Sequence, residues 1–220
     1  MTKLKKNIQF PKWSHNGDSI AFLASSEDNI NDNIYIYSLL TQKISALNTP
    51  FERHNRPSWT LDDKKIISAI YTGEFTDLFS ITIADSVTER LTKDNARYGI
   101  MTSATKLLYS KINNGLWQVD LADKHKKPKK VINSKEFTRS YAWDYHDNGI
   151  YFNKELKDHH RIMFYDLTLG QTRPLLKLPL NSFDRENMIN YIPGEDSIMF
   201  TKSSYPQANI KMLMNSSLLQ

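Results

Sequence analysis

The chain has no cysteine, which excludes a disulfide framework and any thiolate-bound metal centre and fits either redox compartment. No apolar run approaches the ~20 residues that a membrane-spanning helix needs. The lysine-bearing segment from Met1 to Trp13 has no apolar stretch of the kind that marks an export signal. The sequence therefore predicts no membrane span. It predicts a cytoplasmic chain as it stands, or a periplasmic one if it is a fragment from downstream of an exporting or anchoring segment. Also missing are a G-x-S-x-G elbow, an H-E-x-x-H helix, a P-loop and a dinucleotide glycine fingerprint. No cofactor or metal is expected, and no catalytic residue is assigned. No segment sustains a 3.6-residue apolar period over a dozen positions, so few helices are expected.

What is present suits β-structure. Of 220 residues, 40% are hydrophobic and 24% charged, as in a soluble globular chain, and 11% are aromatic, a share that fits half-buried pleated surfaces. The net charge of +5 is unevenly placed, with Lys3, Lys5 and Lys6 at the start and a dense run, KHKKPKK, from Lys124 to Lys130. Such a run can mark nucleic acid or anionic lipid binding. Pro128 and the flanking strand patterns place it at a hairpin tip, so a solvated turn is expected and direct nucleic-acid binding is not.

The organising feature is a repeat. Five segments each carry a large apolar anchor, six turn residues, and the first apolar residue of an alternating strand: Trp13 to Ile20, Trp59 to Ile66, Ile100 to Leu107, Trp143 to Ile150 and Tyr191 to Ile198. The anchors lie 41 to 48 residues apart, the spacing of four-stranded propeller blades. Each unit continues with a second strand such as SIAFLAS, a third such as NIYIYSL or DLFSITI, and a fourth seen in KISAL, TERLT, KKVIN and TRPLLKL. Period-two alternation and short polar turns are hairpin signals. The expectation is an all-β chain, a single domain over residues 1–220 forming a β-propeller of about five four-stranded blades. Its repeats cover approximately 8–48, 51–94, 95–134, 137–180 and 183–220. Trp13, Trp59 and Trp143 share one repeat position and are expected to pack blade on blade. The fifth repeat runs out after Met214. Thr2 to Lys6 are placed to complete the last blade, and an open or incomplete ring is the alternative.

Trp13-Ser-His-Asn-Gly-Asp-Ser-Ile-Ala-Phe22 resembles the W-S-P-D-G-K-x-I-A-F signature of TolB-type propellers, and Arg90-Leu91-Thr92 matches the R-L-T that ends a blade in that family. The ending from Ser197 to Met214 resembles the close of the propeller in CadC/ToxR-type winged-helix membrane regulators. That resemblance implies a periplasmic sensory or interaction module of a bacterial regulator or envelope protein. The sequence departs from the TolB pattern at His15, where the family prefers proline, and at Ser103-Ala104-Thr105, which has lost the Asp-Gly turn.

Segments leading to the anchors carry arginine with aromatics nearby. They contribute Arg53 and Arg56, Arg97 with Tyr98, Arg139 with Tyr141, and Arg185. In propellers generally such loops rim one mouth of the central channel. Guanidinium forks bind carboxylates bidentately and stack on aromatic rings, so these residues are the candidate ligand-binding set, with a protein or acidic peptide as partner. The rival reading is that each arginine pairs with a neighbouring acid and only orders its loop. Asp62-Asp63 and Asp144 with Asp147 sit in or beside the turns after anchors and are read as turn chemistry rather than paired catalytic carboxylates. His159-His160 is read as part of a polar loop rather than a metal site. The function expected is non-enzymatic binding. A propeller glycosidase or lyase acting at the channel mouth is the alternative.

Overall fold

The computed structural model describes residues 6–25, 32–123, 125, 127–182, 188–192, 194–195, 197–204 and 207–214. Among these the chain is all β, apart from a 3-10 turn at Leu180–Ser182. Each repeat folds as an antiparallel meander. The first comprises β1 (Asn7–Trp13), β2 (Ser19–Ser25), β3 (Asp32–Ser38) and β4 (Ile44–Ala46). The second comprises β5 (His54–Trp59), β6 (Lys65–Tyr71), β7 (Thr76–Thr82) and β8 (Thr88–Arg90). The third is β9 (Ala96–Met101), β10 (Lys106–Lys111), β11 (Gly115–Asp120) and β12 (Lys129–Ile132). The fourth is β13 (Trp143–His146), β14 (Gly149–Glu155), β15 (His159–Asp166) and β16 (Gln171–Pro179). The fifth has three strands among the described residues, β17 (Ile189–Ile192), β18 (Ser197–Ser204) and β19 (Gln207–Met214). This is the expected propeller fold, with four complete blades. Thr2 to Lys5 and Asn215 to Gln220, the candidates for closing the last blade, lie outside the described residues.

Two compact units divide the chain. One holds Met1–Lys111 and Gln118–Lys129, the other Ile112–Trp117 and Lys130–Gln220. In the first unit β1, β5 and β9 lie side by side, so each first strand is the inner edge of its blade. Sheet 1 presents Ala21, Leu23, Ile34 and Ile36 to Trp59, Ile66, Ile70, Phe79 and Ile81 of sheet 2, and together they form a buried core. Each large side chain so buried contributes roughly 1.5–3 kcal/mol. In the second unit Tyr151, Ile162, Ile189, Ile198 and Phe200 make the corresponding core.

The turns explain how the repeat closes. Asp62 accepts the Thr60 hydroxyl at 2.7 Å and the Lys64 amide at 3.2 Å. Asp63, with φ of 54°, reaches across to the first blade and accepts the amides of His15 and Asn16, each at 2.9 Å. Burial alone would raise the Asp63 carboxyl, but these amides and the His15 ring hold it below its usual range. Asp62-Asp63 is therefore turn chemistry.

Three expectations need correction. Trp13 is 58% exposed rather than packed blade on blade, whereas Trp59 and Trp143 are buried. Trp143 does not hold the anchor register. It pairs with Phe152, and Tyr145 pairs with Ile150. The cause is a two-residue turn, Asp147-Asn148, with φ of 45° and 57°, which brings His146 opposite Gly149. His159 and His160 lie on strand β15 rather than in a polar loop.

Candidate functional site

The R-L-T element builds the frame that leads into β9, the strand that carries Arg97. Asp77 is the second residue of β7, the third strand of blade 2, and is fully buried. Its Oδ2 accepts Arg90 through Nη2 at 2.5 Å and Nε at 3.1 Å. Its Oδ1 accepts the Thr92 hydroxyl at 3.1 Å and the amides of Asp94 and Asn95, each at 3.0 Å. Leu91 donates its amide to the Leu78 carbonyl. One carboxylate thus ties the end of blade 2 to the start of blade 3. Asp94 carries the network onward, accepting the Tyr109 hydroxyl at 2.8 Å and pairing with Lys111 at 2.5 Å. Burial and the Asp94 bond raise the Tyr109 phenol, which keeps it a hydrogen-bond donor.

Two of the candidate arginines sit at β-bulges in first strands. The β5–β6 register skips between Asn55 and Ser58, and Arg56 there adopts φ of 44° before Pro57. The β9–β10 register skips over Arg97, between Ala96 and Tyr98. Bulges re-aim side chains at the cost of a ladder bond and cluster near functional surfaces. Arg56 is only 2% exposed. Its guanidinium lies over the Phe10 ring, 4.2 Å from the centroid, and donates to Asn55 Oδ1 at 3.1 Å. Arg97 is half-buried and donates from Nη1 to the Thr76 hydroxyl at 2.7 Å. Its Nε is buried with no hydrogen-bond partner among the described residues. Arg53 is exposed, immediately before β5, and stacks over the Tyr71 ring at 5.5 Å. Arg53 and Arg97 therefore lean on opposite ends of one connection, residues 72–75 of sheet 2.

Tyr98 is fully buried in β9, and Tyr141 is half-buried in the approach to β13. In the second unit Arg139 Nε lies 2.8 Å from Glu155 Oε2, an ion pair rather than an aligned hydrogen bond. Arg185 lies outside the described residues.

Sequence reasoning did not single out His54, the first residue of β5. The Phe51 carbonyl, 3.1 Å from its Nε2, can only accept, which places the ring proton on Nε2, and Thr49 Oγ1 lies 2.7 Å from the same atom. Nδ1 is buried with no partner among the described residues. Burial pushes the imidazole down to about 4, against smaller raising effects of the Phe51 carbonyl and Asp32. His159 accepts Arg161 on Nε2 at 3.1 Å and pairs through Nδ1 with Asp158 at 2.7 Å. His160 bonds Asn153 and the Leu180 carbonyl. Adjacent residues on a strand face opposite sides, and among the described residues no three acidic or imidazole groups converge as a metal site. Nor is any described helix long and apolar enough to cross a membrane.

No protein-family model matches the chain, and no curated protein does either. Solved structures do match. TolB from Acinetobacter baumannii aligns with a TM-score of 0.75 and 15% identity, over 97% of this chain and 53% of TolB. A puromycin-hydrolyzing peptidase from Mycobacterium tuberculosis aligns with a TM-score of 0.70 and 11% identity, over 97% of this chain and 36% of the peptidase. An auxiliary nutrient binding protein from Bacteroides ovatus aligns with a TM-score of 0.64 and 11% identity, over 93% and 55%. At such identities the likeness is one of fold. The chain has the TolB-type β-propeller architecture, and it spans about half the length of the TolB and nutrient-binding proteins.

Proposed function

We propose that the chain is a non-enzymatic binding propeller in which Arg97, with Arg53 nearby, receives a carboxylate of a protein or peptide partner, while the buried Arg56 supports the fold. What supports this is the state of the Arg97 guanidinium. Arg90 is committed to Asp77 and Arg139 to Glu155, whereas Arg97 is held by the neutral Thr76 hydroxyl and has no ion-pair partner among the described residues. A planar cation oriented by one hydrogen bond, with further donors open, is preorganised for a bidentate carboxylate. Arg53, held on Tyr71 at the other end of the same connection, adds a second cation. The resemblance of Ser197 to Met214 to the close of CadC/ToxR-type sensors supports placing such a module in a bacterial regulator or envelope protein, in the periplasm where that protein is exported or anchored.

The test is titration with a glutamate-rich and a lysine-rich peptide at about 0.15 M salt, where long-range attraction is largely screened. The glutamate-rich peptide is expected to bind preferentially. Arg97→Ala should weaken it by about tenfold or more, the loss of one charge-assisted hydrogen-bonded contact, with the melting transition retained. Unchanged affinity in that variant would sink the proposal. A second reading, the propeller part of a hydrolase, draws on the alignment of nearly the whole chain to the peptidase. That reading requires a nucleophile-bearing domain joined to this propeller, so release of nitroaniline from aminoacyl nitroanilides by a protein carrying both would favour it over non-enzymatic binding.

A further inference from the structure

The interface between sheets 2 and 3, inside the first unit, departs from the repeat's own packing. Ile36 pairs with Ala21 on one side and Ser45 on the other, and it belongs to the core between sheets 1 and 2. The equivalent residue of the second repeat pairs with Ile67 and Glu89, and it is Ser80. Where the first repeat seals its interface with a branched aliphatic side chain, the second offers a hydroxyl with a carboxylate beside it on the same face. The result is a cleft of about 890 Å³, floored by Ile67, Leu91, Met101, Val119 and Leu121, in the size range of small-ligand sites.

Ser80 lines this cleft, is 5% exposed, and its hydroxyl makes no hydrogen bond among the described residues. That hydroxyl is therefore available to a bound group. The charges on the lining select the partner's sign. Arg90 is neutralised by Asp77 and Asp94 by Lys111. Among the described lining residues this leaves four carboxylates, Asp62, Glu89, Asp120 and Asp123, and two ammonium groups, Lys65 and Lys93.

We propose that the cleft binds a small organic cation with an apolar body, an aryl- or alkyl-amine. Its ammonium donates to Ser80 Oγ and the Glu89 carboxylate, and its body lies on the Ile67, Met101 and Val119 floor. The site is separate from the first-strand arginines and does not depend on them.

Phenethylamine and phenylpropionate, alike in shape and opposite in charge, are the probes, read by methyl NMR at Ile67, Val119 and Leu121. The amine is expected to shift these methyls and to bind about tenfold or more tightly than the acid. Ser80→Ile, which restores the first repeat's residue, should abolish amine binding while the protein still melts cooperatively. Glu89→Gln, on an exposed short strand, should weaken the amine about fivefold and leave the acid unaffected, and it decides the matter if Ser80→Ile does not fold. Arg97→Ala should leave amine binding unchanged, so failure here is distinct from failure of the carboxylate reading. Equal binding of both probes, no methyl shift at millimolar amine, or wild-type affinity in folded Ser80→Ile or in Glu89→Gln overturns the proposal.

Discussion

Asp77→Ala is expected to lower the unfolding free energy by about 3–5 kcal/mol, the usual effect of removing one partner of a buried charged pair. For a chain of this size that is a fall in Tm of about 10 °C. The magnitude follows from what one side chain holds. Five hydrogen bonds end on Asp77, three of them from Thr92, Asp94 and Asn95 at the blade junction. Without it the two amides and the Thr92 hydroxyl lose their acceptor, and Arg90, lying over the Phe75 ring at 3.9 Å, loses its counter-charge. Asp77→Asn keeps an acceptor for Thr92 and the amides but turns an amide toward Arg90, so it should fall between wild type and alanine. Urea unfolding followed by tryptophan fluorescence measures both. A loss under about 1 kcal/mol in Asp77→Ala, the value of an exposed ion pair, would show that this network does not hold the blades.

A second large effect is on acid stability. His54 has its imidazole lowered from 6.5 to about 4. Between those values the unfolded chain binds a proton that the folded chain refuses, so stability falls as pH falls. The loss begins near pH 6.5 and amounts to about 3 kcal/mol by pH 4. Above about pH 7 both states are neutral at this residue and stability is flat. Carboxyls held low, such as Asp63 and Asp158, act below this window, because their contribution is lost only once pH drops past the ordinary 3.8. His54→Asn should therefore be less stable at pH 7 yet lose about 2 kcal/mol less than wild type between pH 7 and 4.5. Parallel curves for the two proteins would remove His54 from the account.

The blade repeat is legible because its signal is redundant: anchor, turn and alternating strand recur five times, and a slip in one leaves the others in phase. Register within a blade is less legible. Trp143 lies seven residues before Ile150, as Trp59 does before Ile66, yet the Asp147-Asn148 turn shortens the connection by two residues and hands the pairing position to Tyr145. A shift of two preserves side-chain parity, so Trp143 is still buried and no hydrophobic pattern betrays the change. Trp13 carries the same sequence signature as Trp59 and differs only in what surrounds it. The R-L-T element is visible by itself, but Asp77 is not, since the pairing of Phe79 with Arg90 is what brings it within reach. Ser80 could have been found in the sequence by aligning third strands residue by residue, where it and Gln118 stand in place of the apolar Ile36, Phe164 and Met212. The bulges that aim Arg56 and Arg97 leave a weaker trace, a proline after Arg56 and a glycine two residues after Arg97.

The most direct measurement is the NMR signal of the Arg97 Nε–H during titration with a glutamate-rich peptide. A carboxylate docking on the guanidinium predicts a saturable downfield shift of that resonance, absent with a lysine-rich peptide and accompanied by smaller changes at Thr76. Saturable binding of the acidic peptide with the Arg97 resonance unmoved would contradict the assignment of the site.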